Sequence, residues 1–187
     1  RVVQLAYFSV MMKGCQYDRQ FLQYAIHPNI YAVQDSAFMD DDFIHHIANT
    51  DKILCEQLSI VAELMQNAKE LGSMLVLPEL QMKRIQNCLK SLPSHSDLFY
   101  ADSIKKLHHI IATIQLLKTR YAIVITNPPY LNKYDKTLKS YIQKHYKDYS
   151  GDLFSIFIYR CLQFTLSKGY SGLLTPNVWM FIKSYKK

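Results

Sequence analysis

The chain has 187 residues and a formal net charge of +7, which is room for one domain with a sizeable core and a basic balance that favours a polyanionic partner such as nucleic acid. Its four cysteines (Cys15, Cys55, Cys88, Cys161) stand far apart with no Cys-x-x-Cys pair, which argues against a zinc site or a disulfide scaffold and fits a reducing cytosol. No apolar run approaches a membrane span and no signal peptide opens the chain, so the expectation is a cytoplasmic protein without a membrane partner.

Val2, Leu5, Ala6, Phe8, Ser9 and Met12 recur at helical spacing with apolar residues on most sides. The pattern predicts a largely buried helix over residues 1 to about 13, with Gly14 as its stop. Asn29-Ile30-Tyr31-Ala32-Val33-Gln34-Asp35-Ser36 predicts a short strand ending in an acid. Asp40-Asp41-Asp42 with His45-His46 lacks the spacing of a calcium loop and reads as a solvated turn before a helix, so no metal site is expected. Further helices are predicted over 51–71, with Thr50 or Asp51 as cap and Gly72 as stop, and over 78 to about 92, with Pro93 after it. Another runs from about 103 to 119, where the neighbours His108 and His109 face different directions. This block is longer than one strand-to-strand crossover needs.

Tyr121-Ala-Ile-Val-Ile-Thr126 is a short β-branched run, read as a buried strand. It stops at Asn127-Pro128-Pro129-Tyr130, because two prolines without N–H groups forbid both further sheet pairing and an immediate helix. A polar side chain, two restricted carbonyls and an aromatic ring are thereby held at the carboxyl end of a strand, where ligands bind in open α/β sheets. Methylation of an exocyclic amine needs this set. Such a nitrogen has its lone pair delocalised, and two acceptors aimed at its N–H groups would free that pair and stabilise the developing positive charge. The Asn127 side-chain oxygen and the Pro128 carbonyl are the two acceptors, Pro129 shapes the loop, and Tyr130 offers a flat face for a planar substrate. Neither acceptor titrates near neutral pH, so no strong general base is implied.

Lys133, Lys136 and Lys139, interleaved with Tyr134 and Tyr141, then Lys144, Tyr146 and Tyr149, suit phosphate contact and base stacking beside that pocket. Residues 152–167 predict a strongly apolar helix capped by Gly151 or Asp152 and ended by Lys168-Gly169-Tyr170. Residues 171–175 predict a short buried strand, broken at Thr175-Pro176-Asn177-Val178-Trp179.

Asn127-Pro128-Pro129-Tyr130 after a strand resembles the catalytic motif of S-adenosylmethionine-dependent amino-methyltransferases, above all the N6-adenine DNA methyltransferases. The stretch from Gln4-Leu5-Ala6-Tyr7-Phe8 to Gln16-Tyr17-Asp18-Arg19 is similar to the helix after the second strand in the PglX-type enzymes of BREX phage defence and the related fused restriction–modification methyltransferases. Leu173-Leu174-Thr175-Pro176-Asn177-x-Trp179 resembles their fifth strand and the turn after it. The resemblance implies a partial class I, Rossmann-like α/β methyltransferase fold. Residues 1–187 would form part of one catalytic domain, and about 38–102 a helical insertion within it. It also implies S-adenosylmethionine as cofactor, with an acid past the third strand accepting from the cofactor's adenine amino group. That role falls to Asp35, with Asp102 as a competing candidate. The implied partners are double-stranded DNA with a flipped adenine and other phage-defence proteins.

The family's glycine-rich turn and ribose-binding acid are not found: there are five glycines and no Gly-x-Gly. They are expected before Arg1, together with the first two strands. The chain alone is therefore expected to bury its core incompletely, to bind cofactor weakly and to be inactive. Two other readings stay open. A glutamine side-chain amide is also a conjugated NH2 group, so a protein glutamine methyltransferase could use the same tetrapeptide. A non-catalytic DNA-binding fragment is the second.

Overall fold

The computed structural model describes residues 1–92 and 99–181; Pro93 lies outside the described residues. The chain is α/β. Eight helices are described: α1 (Val2–Tyr17), α2 (Asp41–Ala48), α3 (Lys52–Leu64), α4 (Ala68–Leu71), α5 (Met82–Ser91), α6 (Ala101–Lys118), α7 (Lys136–His145) and α8 (Leu153–Phe164). Two strands, β1 (Tyr121–Thr126) and β2 (Thr165–Leu173), pair in parallel.

Aspartates start four of these helices. Asp40, Asp51, Asp135 and Asp152 each accept a first-turn backbone N–H, from Phe43, Leu54, Leu138 and Phe154 respectively. Such a cap satisfies one of the donors a helix leaves open at its amino end. The core lies in the helical block and not around the sheet. Phe43, Leu58, Val61, Met65, Leu75 and Ile85 are closed off from solvent, and α6 contributes Leu107, Ile110 and Ile114 at helical spacing. Ile142 of α7 and Ile156 of α8 join the same cluster.

Polar contacts add to this packing, holding residues 73–76, between α4 and α5, against α7 and α8. Arg160, on α8 and only 8% exposed, donates from Nε to the Ser73 carbonyl at 2.9 Å and from Nη2 to the Leu75 carbonyl at 3.0 Å. Its Nη1 donates to Gln163 Oε1 at 2.6 Å, and its guanidinium lies 4.3 Å from the centre of the Phe164 ring. The Tyr146 hydroxyl donates to the Met74 carbonyl, and the Tyr141 oxygen accepts the Val76 N–H at 2.8 Å. A stretch with no ladder partner thus has its backbone groups satisfied by side chains of α7 and α8.

Several expectations are corrected. The first helix runs through Gly14 and carries no buried residue; Val2, Leu5 and Phe8 are 60% exposed or more. Gly14 is instead a seat for Phe21, whose ring carbons lie 2.6–2.9 Å from where a Cβ would stand. Residues 29–36 form no strand, since no strand lies beside them among the described residues. Their anchors are a His109 Nε2 contact to the Ala32 carbonyl at 2.7 Å and the Ser36 N–H to the Met65 carbonyl at 3.1 Å. The helix predicted over 51–71 breaks after Leu64 and resumes as the short α4, which does end at Gly72, at φ +53°.

The strand at Tyr121–Thr126 forms as predicted but is not buried: Ile123 is 62% and Ile125 79% exposed. A parallel strand is buried when both faces are covered, and this ribbon has α8 packed against it while Ile123 and Ile125 stay open. β2 begins directly at the end of α8, earlier than predicted, and its register slips between the pairs Tyr121–Thr165 and Ile123–Tyr170. Gly169 sits in that irregularity, where a Cβ would come within 2.6 Å of the Ala122 carbonyl oxygen. Only glycine permits so close a backbone approach.

The Arg160 network gives a first prediction. Arg160→Met keeps the apolar stem but leaves the Ser73 and Leu75 carbonyls without their donors, and should destabilise the protein by about 3 kcal/mol. Arg160→Lys should restore only part of this, because an ammonium cannot span two carbonyls and Gln163 as the planar fork does. Urea unfolding would measure both.

Candidate active site

Because β1 and β2 are parallel, their carboxyl ends lie together. The Leu174 N–H donates to the Thr126 carbonyl at 3.3 Å, one step beyond the last strand pair. The loop after β1 and the turn after β2 are therefore neighbours. In the loop, Pro128 is buried while Asn127, Pro129 and Tyr130 are exposed. The Tyr130 hydroxyl donates to the Leu174 carbonyl at 2.9 Å, and its ring meets Phe154 edge-on at 6.5 Å between centroids. Tied at both places, the ring is still 54% exposed. A flat apolar surface is thus held at the strand ends, in the same loop as the exposed Asn127. The double proline limits what else the loop can do, since neither ring nitrogen can donate.

Beyond Tyr130 the chain is held again. The Leu131 N–H donates to Asp152 Oδ1 at 3.2 Å, and the Leu153 N–H donates to the Leu131 carbonyl at 3.0 Å. Lys133 follows in the loop, and Lys136 and Lys139 lie three residues apart on α7; all three are exposed. Spacing of three places the last two on one side of the helix. The tyrosines among them are structural, contrary to the stacking role expected from their interleaving. Tyr146 is buried and its phenol pushed far up by that burial. Tyr141 is hydrogen-bonded to residues 74 and 76. Tyr149 stacks on Tyr159 at 4.5 Å, and Tyr134 donates to the Ser150 carbonyl at 3.3 Å.

Asp35 accepts the Lys69 backbone N–H at 2.9 Å and pairs with the Lys69 ammonium at 3.3 Å. The next residue, Glu70, faces Asp135, the cap of α7 five positions after Tyr130, and the two carboxyls share a hydrogen bond when Glu70 is protonated. Two regions about a hundred residues apart in sequence thus meet at α4. Asp35 also keeps acceptor capacity, because a carboxylate has about four lone-pair positions and Lys69 takes two. The competing candidate, Asp102, stands on the first turn of α6, 77% exposed and 2.6 Å from Lys106. Its carboxyl is held below the ordinary value by that ammonium. His45 faces Cys55, and no cluster of three metal-ligating side chains exists among the described residues. Among them, too, no helix is long and apolar enough to cross a membrane. The proximity of Glu70 to Asp135 left no trace in the sequence.

The whole chain, residues 1–187, matches the family model for the Eco57I restriction-modification methylase. The chain belongs to that family. Over its full length it is 29% identical to "Adenine-specific methyltransferase PglX" of Lacticaseibacillus casei (strain Zhang), covering 16% of that protein. It is 27% identical to "Adenine-specific methyltransferase BrxX" of Escherichia coli O9:H4 (strain HS), covering 18% of that protein. The chain therefore spans less than a fifth of the length of these curated relatives. The resemblance carried by the Asn-Pro-Pro-Tyr motif, the first helix and the second strand-to-turn stretch agrees with this membership.

The carboxyl pair gives a pH prediction for this Eco57I-family chain. The hydrogen bond to Asp135, and then that group's charge, raise the Glu70 carboxyl above its ordinary 4.5. Folded protein thus holds the Glu70 proton more tightly than unfolded protein does. The stability this confers is complete below 4.5 and is lost as pH rises through the folded value. Glu70→Gln keeps a donor toward Asp135 at every pH, so the variant should lack that loss. Thermal melts from pH 4 to 7 (roughly the span over which a raised carboxyl titrates) would show it as a flatter curve than wild type.

Proposed function

We propose that this chain carries the methyl-acceptor side of an adenine-specific DNA methyltransferase. Its reaction is transfer of a methyl group from S-adenosylmethionine to adenine N6 in double-stranded DNA, in phage defence or restriction–modification. The observation that carries the reading is the placement of Asn127-Pro128-Pro129-Tyr130 at the joined strand ends, with the Tyr130 ring fixed to the exit of β2, in a chain that matches a restriction-modification methylase family throughout. The two relatives are named adenine-specific methyltransferases, which favours adenine over a glutamine amide. On this reading the parallel pair belongs to a class I, Rossmann-like sheet, with residues about 38–102 as an insertion.

The target adenine must leave the duplex, because its amine is unreachable in the stack. Tyr130 takes the flipped base on its open face. The Asn127 side-chain oxygen and the Pro128 carbonyl accept the two N6 hydrogens, drawing the nitrogen toward tetrahedral geometry and stabilising its developing positive charge. Pro129 restricts the loop so that both acceptors keep their places. When bound, S-adenosylmethionine supplies an electrophilic methyl group. Asp35, with its remaining acceptor positions, would hold the cofactor's adenine amino group. The proton released from N6 passes to solvent, as neither acceptor can take it at neutral pH. Lys133, Lys136 and Lys139 contact the phosphate backbone beside the pocket.

Two measurements test this. Full-length protein would be expressed and host DNA sequenced by a method that detects N6-methyladenine, beside Asn127→Ala. Modified adenine in one recurring motif, reduced at least ~100-fold in turnover by the substitution, is the expected result. No methyladenine from folded protein that binds the cofactor would move the reading to glutamine methylation or to DNA binding alone. Replacing Lys133, Lys136 and Lys139 by alanine should weaken DNA binding evenly across sequences. The log–log salt slope should fall by about 0.9 for each phosphate no longer neutralised by a lysine, as a fluorescence-anisotropy titration at several salt concentrations would show.

A further inference from the structure

We propose that Asp152 is a positioning residue for the Asn127–Tyr130 loop: a single carboxylate oxygen caps α8 and also clamps the residue that follows Tyr130. The clamp rests on geometry, and its effect on turnover rests on the methyltransferase reading above.

Asp152 Oδ1 accepts two backbone N–H groups, one from Phe154 at 3.3 Å within its own helix and one from Leu131 at 3.2 Å across the fold. The Leu131 carbonyl is taken in turn by the Leu153 N–H at 3.0 Å. Both backbone polar groups of Leu131 are therefore held by two consecutive residues at the start of α8. Phe154, the next residue, meets the Tyr130 ring. The turn that presents Asp152 is itself fixed, because the Ser155 hydroxyl lies 2.6 Å from the Asp152 carbonyl oxygen and 2.5 Å from that of Tyr149.

An ordinary helix cap needs none of this. A serine can satisfy a first-turn N–H, but its hydroxyl sits one bond closer to the backbone and cannot also reach a second segment. The loop has few other places to be gripped. Pro128 and Pro129 have no N–H, so after Asn127 the first donors are Tyr130 and Leu131. With Leu131 clamped to α8 and the Tyr130 hydroxyl on Leu174 at the exit of β2, the ring is held from both sides. Release of the Leu131 side lets the ring, and the carbonyls before it, move relative to Phe154. Displacement of about 1 Å in a positioning site can cost ~100-fold in rate.

The test compares D152S, which keeps a cap but lacks the reach, with D152N, which keeps an oxygen at the same reach, both in the full-length protein. D152G, a cap nearly as good as serine, replaces D152S should that variant not fold. Two readouts are taken. Hydrogen exchange of the peptide covering residues 127–134 should be faster than wild type in D152S and unchanged in D152N, at closely similar melting temperatures. In steady-state methylation of duplex DNA, kcat should fall roughly 10- to 100-fold in D152S, with KM for DNA within about threefold and both constants restored in D152N. Wild-type exchange in D152S would overturn the clamp. Faster exchange with wild-type kcat would overturn its role in positioning. Should wild-type protein transfer no methyl group to adenine, the functional reading falls, and the exchange comparison still decides the clamp.

Discussion

The buried guanidinium of Arg160 is the constraint on which the two halves of the structure depend. Residues 73–76 run between α4 and α5 without joining any ladder, so their polar backbone groups need other partners. Arg160 takes two carbonyls, Tyr146 takes the one between, and Tyr141 accepts the following N–H. Arg160 sits on α8, the helix that leads directly into β2, so the same contact holds that helix against residues 73–76. The Phe164 ring beneath the guanidinium and Gln163 beside it complete its surroundings. A lone buried cation would be costly, but one whose N–H groups are taken by two carbonyls and an amide oxygen, with a ring against its plane, rigidifies its neighbourhood.

From that anchor the site is assembled by two routes. One passes through α8 and β2 to Leu174, whose N–H continues the strand pairing and whose carbonyl takes Tyr130. The other passes through α4, where Lys69 holds Asp35 and the neighbouring Glu70 faces the cap of α7. The loop between them contains two prolines and so cannot organise itself by backbone donation. Its shape comes from ring geometry and from contacts at its two ends. The helical block is thus more than bulk beside a sheet: it supplies the surfaces against which α7 and α8 are registered.

The sheet contrasts with that block. The block closes a core of aliphatic side chains, while Ile123 and Ile125 of β1 and the apolar residues of α1 face outward. Exposed β-branched residues on a parallel strand are unusual, since such strands are ordinarily covered on both faces.

The sequence by itself determined the local chemistry. A β-branched run that stops at two prolines forms a strand and a constrained loop whatever surrounds it, and the bounds of β1 match because proline ends pairing at a definite residue. Aspartates ahead of helical patterns became caps for an equally local reason. Tertiary structure decided whatever depends on partners distant in the chain. The Asn29–Ser36 stretch had strand composition, yet among the described residues no strand stands beside it, and a lone strand cannot satisfy its own backbone. Apolar periodicity predicted a buried first helix, but periodicity reports a face, not what covers it. The tyrosines after the loop looked like stacking surfaces until residues 74–76 claimed two of them. Asp152 looked like a cap and is one. That its oxygen also reaches Leu131 follows only from α8 lying against the loop, a placement set by contacts more than twenty residues away along the chain.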